Sequence, residues 1–465
     1  YLAGKTIHNP KGLWWVLMGV VLGCMGLARE NALILIIVIL FWIYVYFRTM
    51  PFKKTVAWGA LLVCGLAIIL IPVGLRNKIV GGDFVLTTSQ FGSNLYIGNN
   101  NMSDGRYRPL RPDRGDWRFE RQDATELAEE AIGRKLSPSE VSQYWVGQTV
   151  SYIRAEPMQW IGLLVKKWHL VWNALEVGDA ESQYAHYKWS FALKWLGFFF
   201  HFGVICPLAV FGICRTWQYR RKLWGLYLIL ISFAASVAMF YVFARYRFPM
   251  IGVVGLFAAA GIAGSREFFR EKNAKHILIC LLLVFISAIL VNWKIFNKEE
   301  FTASTYYNIA HDLSVQGDNA QAAEYYNEAF KLSTGNAKIV NNLGLALFKQ
   351  GKVDEAIIQF NKALRIEPNS AKTHNNLAIV LATMGETDEA IEHFLEVIRI
   401  DPEYSPSVYY NLAGMYSRQN KVDESVKWLK MAIEKGYTNW DLIETDKDLD
   451  NIRGSSHYKR IIKNR

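Results

Sequence analysis

Between residues 301 and 436 the sequence repeats itself every 34 residues, and no other feature restricts the fold so tightly. One unit carries Ala337, Gly344, Leu347, Gly351, Ala356, Phe360, Ala363 and Pro368. The next carries Ala378, Leu381, Gly385, Ala390, Phe394, Val397 and Pro402. Upstream stand Ala310, Leu313, Gly317, Ala322, Tyr326 and Ala329. Downstream, one residue out of phase, stand Ala413, Tyr416, Asn420, Ser425, Leu429 and Ala432. A period of this length describes helix pairs that bury their apolar faces only by stacking. Small residues let the paired helices approach, aromatics fill the next interface, and Pro stops the second helix. Residues 437–465, with Trp440, Leu442, Leu449, Ile452, Tyr458 and Ile461, are expected to cap the open end.

The pattern resembles the tetratricopeptide repeat, which implies an α-solenoid whose first helices line a concave surface for another protein. Asn308, Asn342, Asn376 and Asn411 recur at one place on those helices. They resemble the asparagine ladder of O-linked N-acetylglucosamine transferase and would pair with the backbone of an extended peptide; the plainer reading is that Asn is common at this position. Asp446 and Asp448 form a D-x-D, a metal-holding pattern in soluble glycosyltransferases, but its place in the cap argues for a structural role.

The rest of the chain is apolar. Runs at 12–28, 32–47, 56–75, 195–214, 224–244, 248–264 and 277–293 are candidate membrane spans, given that a ~30 Å hydrocarbon core takes roughly 20 helical residues. The expected fold class is all-α: a polytopic transmembrane helical domain followed by the solenoid. The expected domains are membrane helices at 1–76, an extracytoplasmic segment at 77–194, further membrane helices at 195–300, four repeats at 301–436 and the cap at 437–465. The chain opens at Tyr1, and we read it as a fragment lacking its N-terminal part. All five Cys lie in or beside apolar runs, which leaves no disulfide framework or thiolate metal site in the polar segments. The net charge of +11 does not indicate nucleic acid, because the cations lie between apolar runs.

Those cations set the orientation. With residues 1–11 inside, the short inner segments carry 13 Lys and Arg, against Arg29, Arg245 and Arg247 on the outer side. The positive-inside rule then places residues 77–194 and the solenoid outside the cytoplasm. In the outer segment, 81–115 reads as irregular and 122–135 as helical, and Ser137-Pro138-Ser139-Glu140 reads as a capping box. Pro157 opens a helix through Glu176, with Trp160, Leu164, Trp168 and Trp172 on one face. Such an aromatic stripe suits a helix lying in the bilayer interface.

Three outer features suggest chemistry. Arg29 interrupts two apolar runs at the interface; it could serve a headgroup by snorkelling or bind substrate. Arg245 and Arg247 flank Tyr246 and, with Arg29, would clamp a lipid phosphate. Asn94 to Asn100 reads as a polar-aromatic turn able to line a sugar site through Tyr96, Asn99 and Asn100, or as an ordinary Asn/Gly turn. In their order these motifs, with the Pro157 to Glu176 helix and Arg245 to Pro249, resemble family-39-type membrane glycosyltransferases of the GT-C fold, over residues 1–293. Chains joining such a part to extracytoplasmic repeats are similar to the transmembrane protein O-mannosyltransferases. The resemblance implies transfer of a sugar from a polyprenyl-phosphate or dolichyl-phosphate donor to an extracytoplasmic acceptor, with membrane lipid, lipid-linked sugar and a repeat-bound protein as partners. No further cofactor and no metal are implied. The family's catalytic acid belongs to a first outer loop that would lie upstream of Tyr1. Two alternatives stand beside it: a non-enzymatic membrane-anchored scaffold, and an O-antigen ligase or polysaccharide polymerase.

Overall fold

The computed structural model describes residues 5–6, 10–28, 30–111, 117–178, 181–268, 270 and 273–463. Among them all regular structure is helical. The fold class is therefore all-α, with an apolar helical part and a helical solenoid. The chain divides into two units, Tyr1–Asp179 with His186–Phe296, and Ala180–Ala185 with Asn297–Arg465.

In the first unit the apolar runs become α1 (Gly12–Ala28), α2 (Ile34–Tyr46) and α3 (Phe52–Gly81). Next come α4 (Phe91–Gly98), α5 (Trp117–Ile132), α6 (Pro138–Ala155) and α7 (Pro157–Trp172). The unit closes with α8 (Phe191–Phe199), α9 (Phe202–Thr216), α10 (Arg220–Met239), α11 (Ala244–Phe268) and α12 (Ala274–Asn292). Four stretches are long and apolar enough to cross a membrane: Phe52–Gly81, Phe191–Met239, Ala244–Phe268 and Ala274–Asn292. On α12, Leu278 is 68% exposed and Phe285 62%. Apolar side chains at this exposure have no partner within the unit, which is what a lipid-facing helix requires.

Several expectations are corrected. The run 195–214 is broken at Phe200, where α8 ends and His201 caps α9 by accepting from the Gly203 amide at 3.0 Å. Helix α2, at 13 residues, is about 20 Å long, short of a full crossing. The 81–115 segment contains α4, and the Pro157 helix ends at Trp172, before Glu176. The capping box of α6 forms: the Ser137 amide donates to Glu140 Oε2 at 2.8 Å, and the Glu140 amide to Ser137 Oγ at 3.4 Å.

Close helix contacts explain the glycines that matter. A Cβ on Gly19 of α1 would lie 2.0 Å from the Leu62 carbonyl oxygen of α3, and one on Gly65 would lie 2.1 Å from that of Val16. Each backbone thus occupies the space another residue would need, the small-residue packing suited to apolar helices. Below that contact Trp15, fully buried, packs among Trp42, Phe47 and Trp58.

The second unit is built from pairs: α13 (Lys298–Val315) with α14 (Asn319–Leu332), and α15 (Ala337–Lys349) with α16 (Val353–Ile366). They are followed by α17 (Ala371–Met384) with α18 (Thr387–Ile400), and α19 (Pro406–Arg418) with α20 (Val422–Glu434). The repeating Ala and aromatic positions form its core: Ala322, Ala356, Ala390, Tyr326, Phe360 and Phe394 are at most 2% exposed. Between the helices of each pair the chain turns through one left-handed residue. These are Gly317 (φ 91°), Gly351 (φ 79°), Gly385 (φ 88°) and, in the out-of-phase unit, Asn420 (φ 58°). Glycine adopts this conformation without steric cost, and Asn is the best-tolerated substitute. Tyr410, Ile443, Leu449, Ile452 and Tyr458 close the far end as a separate buried cluster. Ala180–Ala185 also belongs here: the Ser182 amide donates to Thr305 Oγ1 at 2.7 Å, and Ala185 is fully buried in the repeat core.

Candidate functional site

Each unit presents one candidate. In the first, a cavity of about 370 Å³ opens where the Glu30–Leu33 turn meets α4, the end of α10 and the start of α11. Its wall holds Glu30, Asn94, Tyr241 and Arg245, with Phe91, Phe240 and Tyr246 among the apolar lining. The Tyr241 hydroxyl donates to Asn94 Oδ1 at 3.0 Å. The Glu30 carboxyl is held by the Thr87 hydroxyl and the Thr88 amide, yet burial outweighs both and raises its pKa above the ordinary carboxylate value. Its Oε1 is buried and accepts no hydrogen bond among the described residues. A buried carboxylate with an unused oxygen can accept a proton from a bound hydroxyl. Arg245, on the exposed side, has its guanidinium 5.3 Å from the Phe243 ring centroid and 5.2 Å from that of Tyr246.

The proposed arginine clamp does not assemble as expected. Arg29 lies outside the described residues. Arg247 is 1% exposed and points away from Arg245. It donates to the carbonyls of Leu170, Val171, Asn173 and Leu175 at 3.2, 3.3, 2.6 and 3.0 Å, and pairs with Glu176. Phe202 stacks on it at 4.4 Å. The reason is local. Both arginines begin helix α11, and side chains two apart on a helix do not share a face. Arg247 therefore caps the carbonyl end of α7, where the dipole favours a cation.

The sugar-loop residues are likewise committed inward. Asn99 is 1% exposed. It donates to the carbonyls of Leu95 at 2.8 Å and Met239 at 2.7 Å, and accepts from Trp160 Nε1 at 3.0 Å and Lys167 Nζ at 2.8 Å. Asn100 donates to the Tyr96 carbonyl at 2.8 Å and accepts from the Met102 amide at 2.8 Å. The Tyr96 ring lies 4.7 Å from that of Trp145 in a small apolar cluster. The segment is a helix and its cap, so its amides bind backbone instead of lining a sugar site. Asn94, five residues earlier on the same helix, is the one that reaches the cavity. Reading the segment as a turn concealed the helical face that would have selected Asn94.

Lys167 was not expected at all. It is fully buried and donates to the carbonyls of Gly98 (3.1 Å) and Phe240 (2.9 Å) as well as to Asn99. Burial pulls its ammonium down to about 7. It ties α4, α7 and the end of α10 together behind the cavity wall. A Cβ on Gly98 would meet the Phe240 carbonyl oxygen at 2.4 Å, so glycine is what permits this junction.

In the second unit the asparagines are linked to one another. Asn376 donates to Asn341 Oδ1 at 3.0 Å, Asn341 to Asn342 Oδ1 at 3.0 Å, and Asn342 to the Tyr307 hydroxyl at 2.9 Å. An amide has two N–H donors and two acceptor sites, so each retains capacity beyond this chain. Asn308 and Asn411 are half-buried on their helices. The D-x-D is structural: Asp446 accepts from the Tyr410 hydroxyl at 2.6 Å and from the Asp448 amide at 3.0 Å. Asp448 takes both arms of Arg418 at 2.8 Å.

The tetratricopeptide repeat family matches residues 301–369, 335–403 and 369–435. The C-terminal unit is a tetratricopeptide-repeat array. Among solved structures, MamA from Desulfovibrio magneticus RS-1 is 18% identical, covering 36% of this chain and 95% of its own, with a TM-score of 0.31. YrrB, described as a TPR protein with an unusual peptide-binding site, is 20% identical over 40% of this chain and 85% of its own (TM-score 0.27). PilF of Pseudomonas aeruginosa is 18% identical over 43% and 93% (TM-score 0.29). No curated protein sequence matches the chain.

Proposed function

We propose that this is a membrane-anchored scaffold whose tetratricopeptide array binds a segment of another protein on its first-helix face. The observation that carries the reading is the linked row of amides from Tyr307 through Asn342 and Asn341 to Asn376. Amides held in place by one another lose little side-chain freedom when they pair with a peptide backbone. The four apolar stretches supply the anchor, and the charge asymmetry of the short loops orients the array away from the cytoplasm. Binding of fluorescent extended peptides to the full chain in detergent tests this. Replacing Asn342 and Asn376 together by Ala should weaken binding about tenfold or more. Unchanged affinity would remove the amide face as the binding surface.

One observation favours a second reading: the cavity that holds Glu30 and Arg245 together. A lipid-linked-sugar transferase would use such a site, with Arg245 holding the lipid phosphate. Glu30 would take the proton of an acceptor hydroxyl as it attacks the anomeric carbon and the phosphate leaves. Membranes supplied with labelled polyprenyl-phosphate sugars should then transfer label, and Glu30→Gln should abolish transfer without lowering expression. Equal transfer by that variant would dismiss Glu30 as the base.

A further inference from the structure

The repeat array separates its charges by layer. The first helices α15, α17 and α19 contain Lys338, Lys349, Lys372 and Arg418 and no Asp or Glu. The second helices carry the acids: Asp354 and Glu355 on α16, Asp388, Glu389, Glu392 and Glu396 on α18, and Asp423, Glu424 and Glu434 on α20. Helix periodicity then aligns the cations with the amides. Lys338, Asn342, Leu345 and Lys349 stand at spacings of four, three and four, one stripe along α15. On α17 the same spacings give Lys372, Asn376, Ile379 and Thr383. Lys338, Lys349 and Lys372 are exposed, and Lys338 Nζ lies 5.5 Å from the centroid of Tyr307, the ring that ends the amide row. Arg418 is spent on Asp448 and the Ala382 carbonyl and takes no part. Helix α13 carries Glu299, Glu300 and Asp312, so the cationic stripe belongs to the middle repeats.

The geometry points to an acidic protein segment as the occupant of this face, an inference that rests on the peptide-binding reading above. Its backbone pairs with the amides of Asn342 and Asn376. Its Asp or Glu side chains lie against Lys338, Lys349 and Lys372, and Leu345 and Ile379 receive apolar side chains between them. The acidic second helices repel the same segment, which restricts it to the first-helix layer.

Fluorescence anisotropy on the full chain in detergent decides it, with three amidated peptides of equal length: Asp/Glu-rich, its Asn/Gln isostere, and its Lys/Arg counterpart. The acidic peptide should bind about tenfold more tightly than the isostere and lose that advantage at high salt. Lys338→Glu with Lys372→Glu should abolish the preference and leave the isostere's affinity unchanged. Lys352→Glu, an exposed control off the stripe, should leave the preference intact. Equal binding of acidic and neutral peptides, or an equal effect of the control, overturns the acidic partner while peptide binding itself stands. Failure of all three peptides to bind overturns the peptide-binding reading as well.

Discussion

Arg245 and Arg247 illustrate how two residues of one type, two positions apart, come to unlike roles. Arg245 is exposed beside the cavity, and Arg247 is buried at the carbonyl end of α7 with Glu176. Removing a buried charged partner leaves the other unpaired and costs about 3–5 kcal/mol, whereas an exposed side chain costs little. Arg247→Ala should therefore lower the melting temperature in detergent markedly, and Arg245→Ala should leave it unchanged. Lys167 adds a pH dependence. Its ammonium titrates near 7 when folded and above 10 when unfolded. Across that window the unfolded chain holds a proton that the folded chain lacks, so this group's contribution rises with pH from about 7 to about 10. It is lost as pH falls toward 7. The slope is at most about 1.4 kcal/mol per pH unit. Unfolding measured at pH 7 and pH 9 should show it, and Lys167→Met should remove it.

At the scale of elements, the repeat turns are the most local determinant. Three of the four use Gly in the left-handed region and the fourth uses Asn420 at φ 58°. Asn420→Gly should be neutral or slightly stabilising, and Asn420→Ala should destabilise the array by about 1 kcal/mol. Chemical denaturation followed by far-UV circular dichroism distinguishes them. In the first unit the elements are less regular. Helix α9 has 15 residues and α2 has 13, both shorter than their apolar runs suggested. Their ends are set by a His cap and a one-turn 3-10 helix, which hydropathy does not register.

At the scale of the whole molecule, the proposed orientation makes a direct prediction. With the cationic short loops in the cytoplasm, residues 297–465 are accessible from the outer side. Protease added to intact spheroplasts should digest the repeat array, and a tag in the 48–55 segment should be cut only after lysis. Protection of the array before lysis would reverse the orientation. It would also separate the array from any extracytoplasmic partner.

The repeat array was legible because each unit contacts its neighbours in sequence, so a 34-residue period states the tertiary contacts directly. The Ala and Phe positions are buried where the period placed them, and the Pro and Gly positions lie at the helix ends. The all-helical class followed in the same way from the apolar runs. The cavity was not legible, because Glu30, Asn94, Tyr241 and Arg245 come from four separate segments. Which side of each helix faces inward there is decided by long-range contacts. Asn99 was taken up by Lys167 and Met239, and Arg247 by the end of α7, contacts that span 68 to 140 residues and leave no periodic trace in the chain.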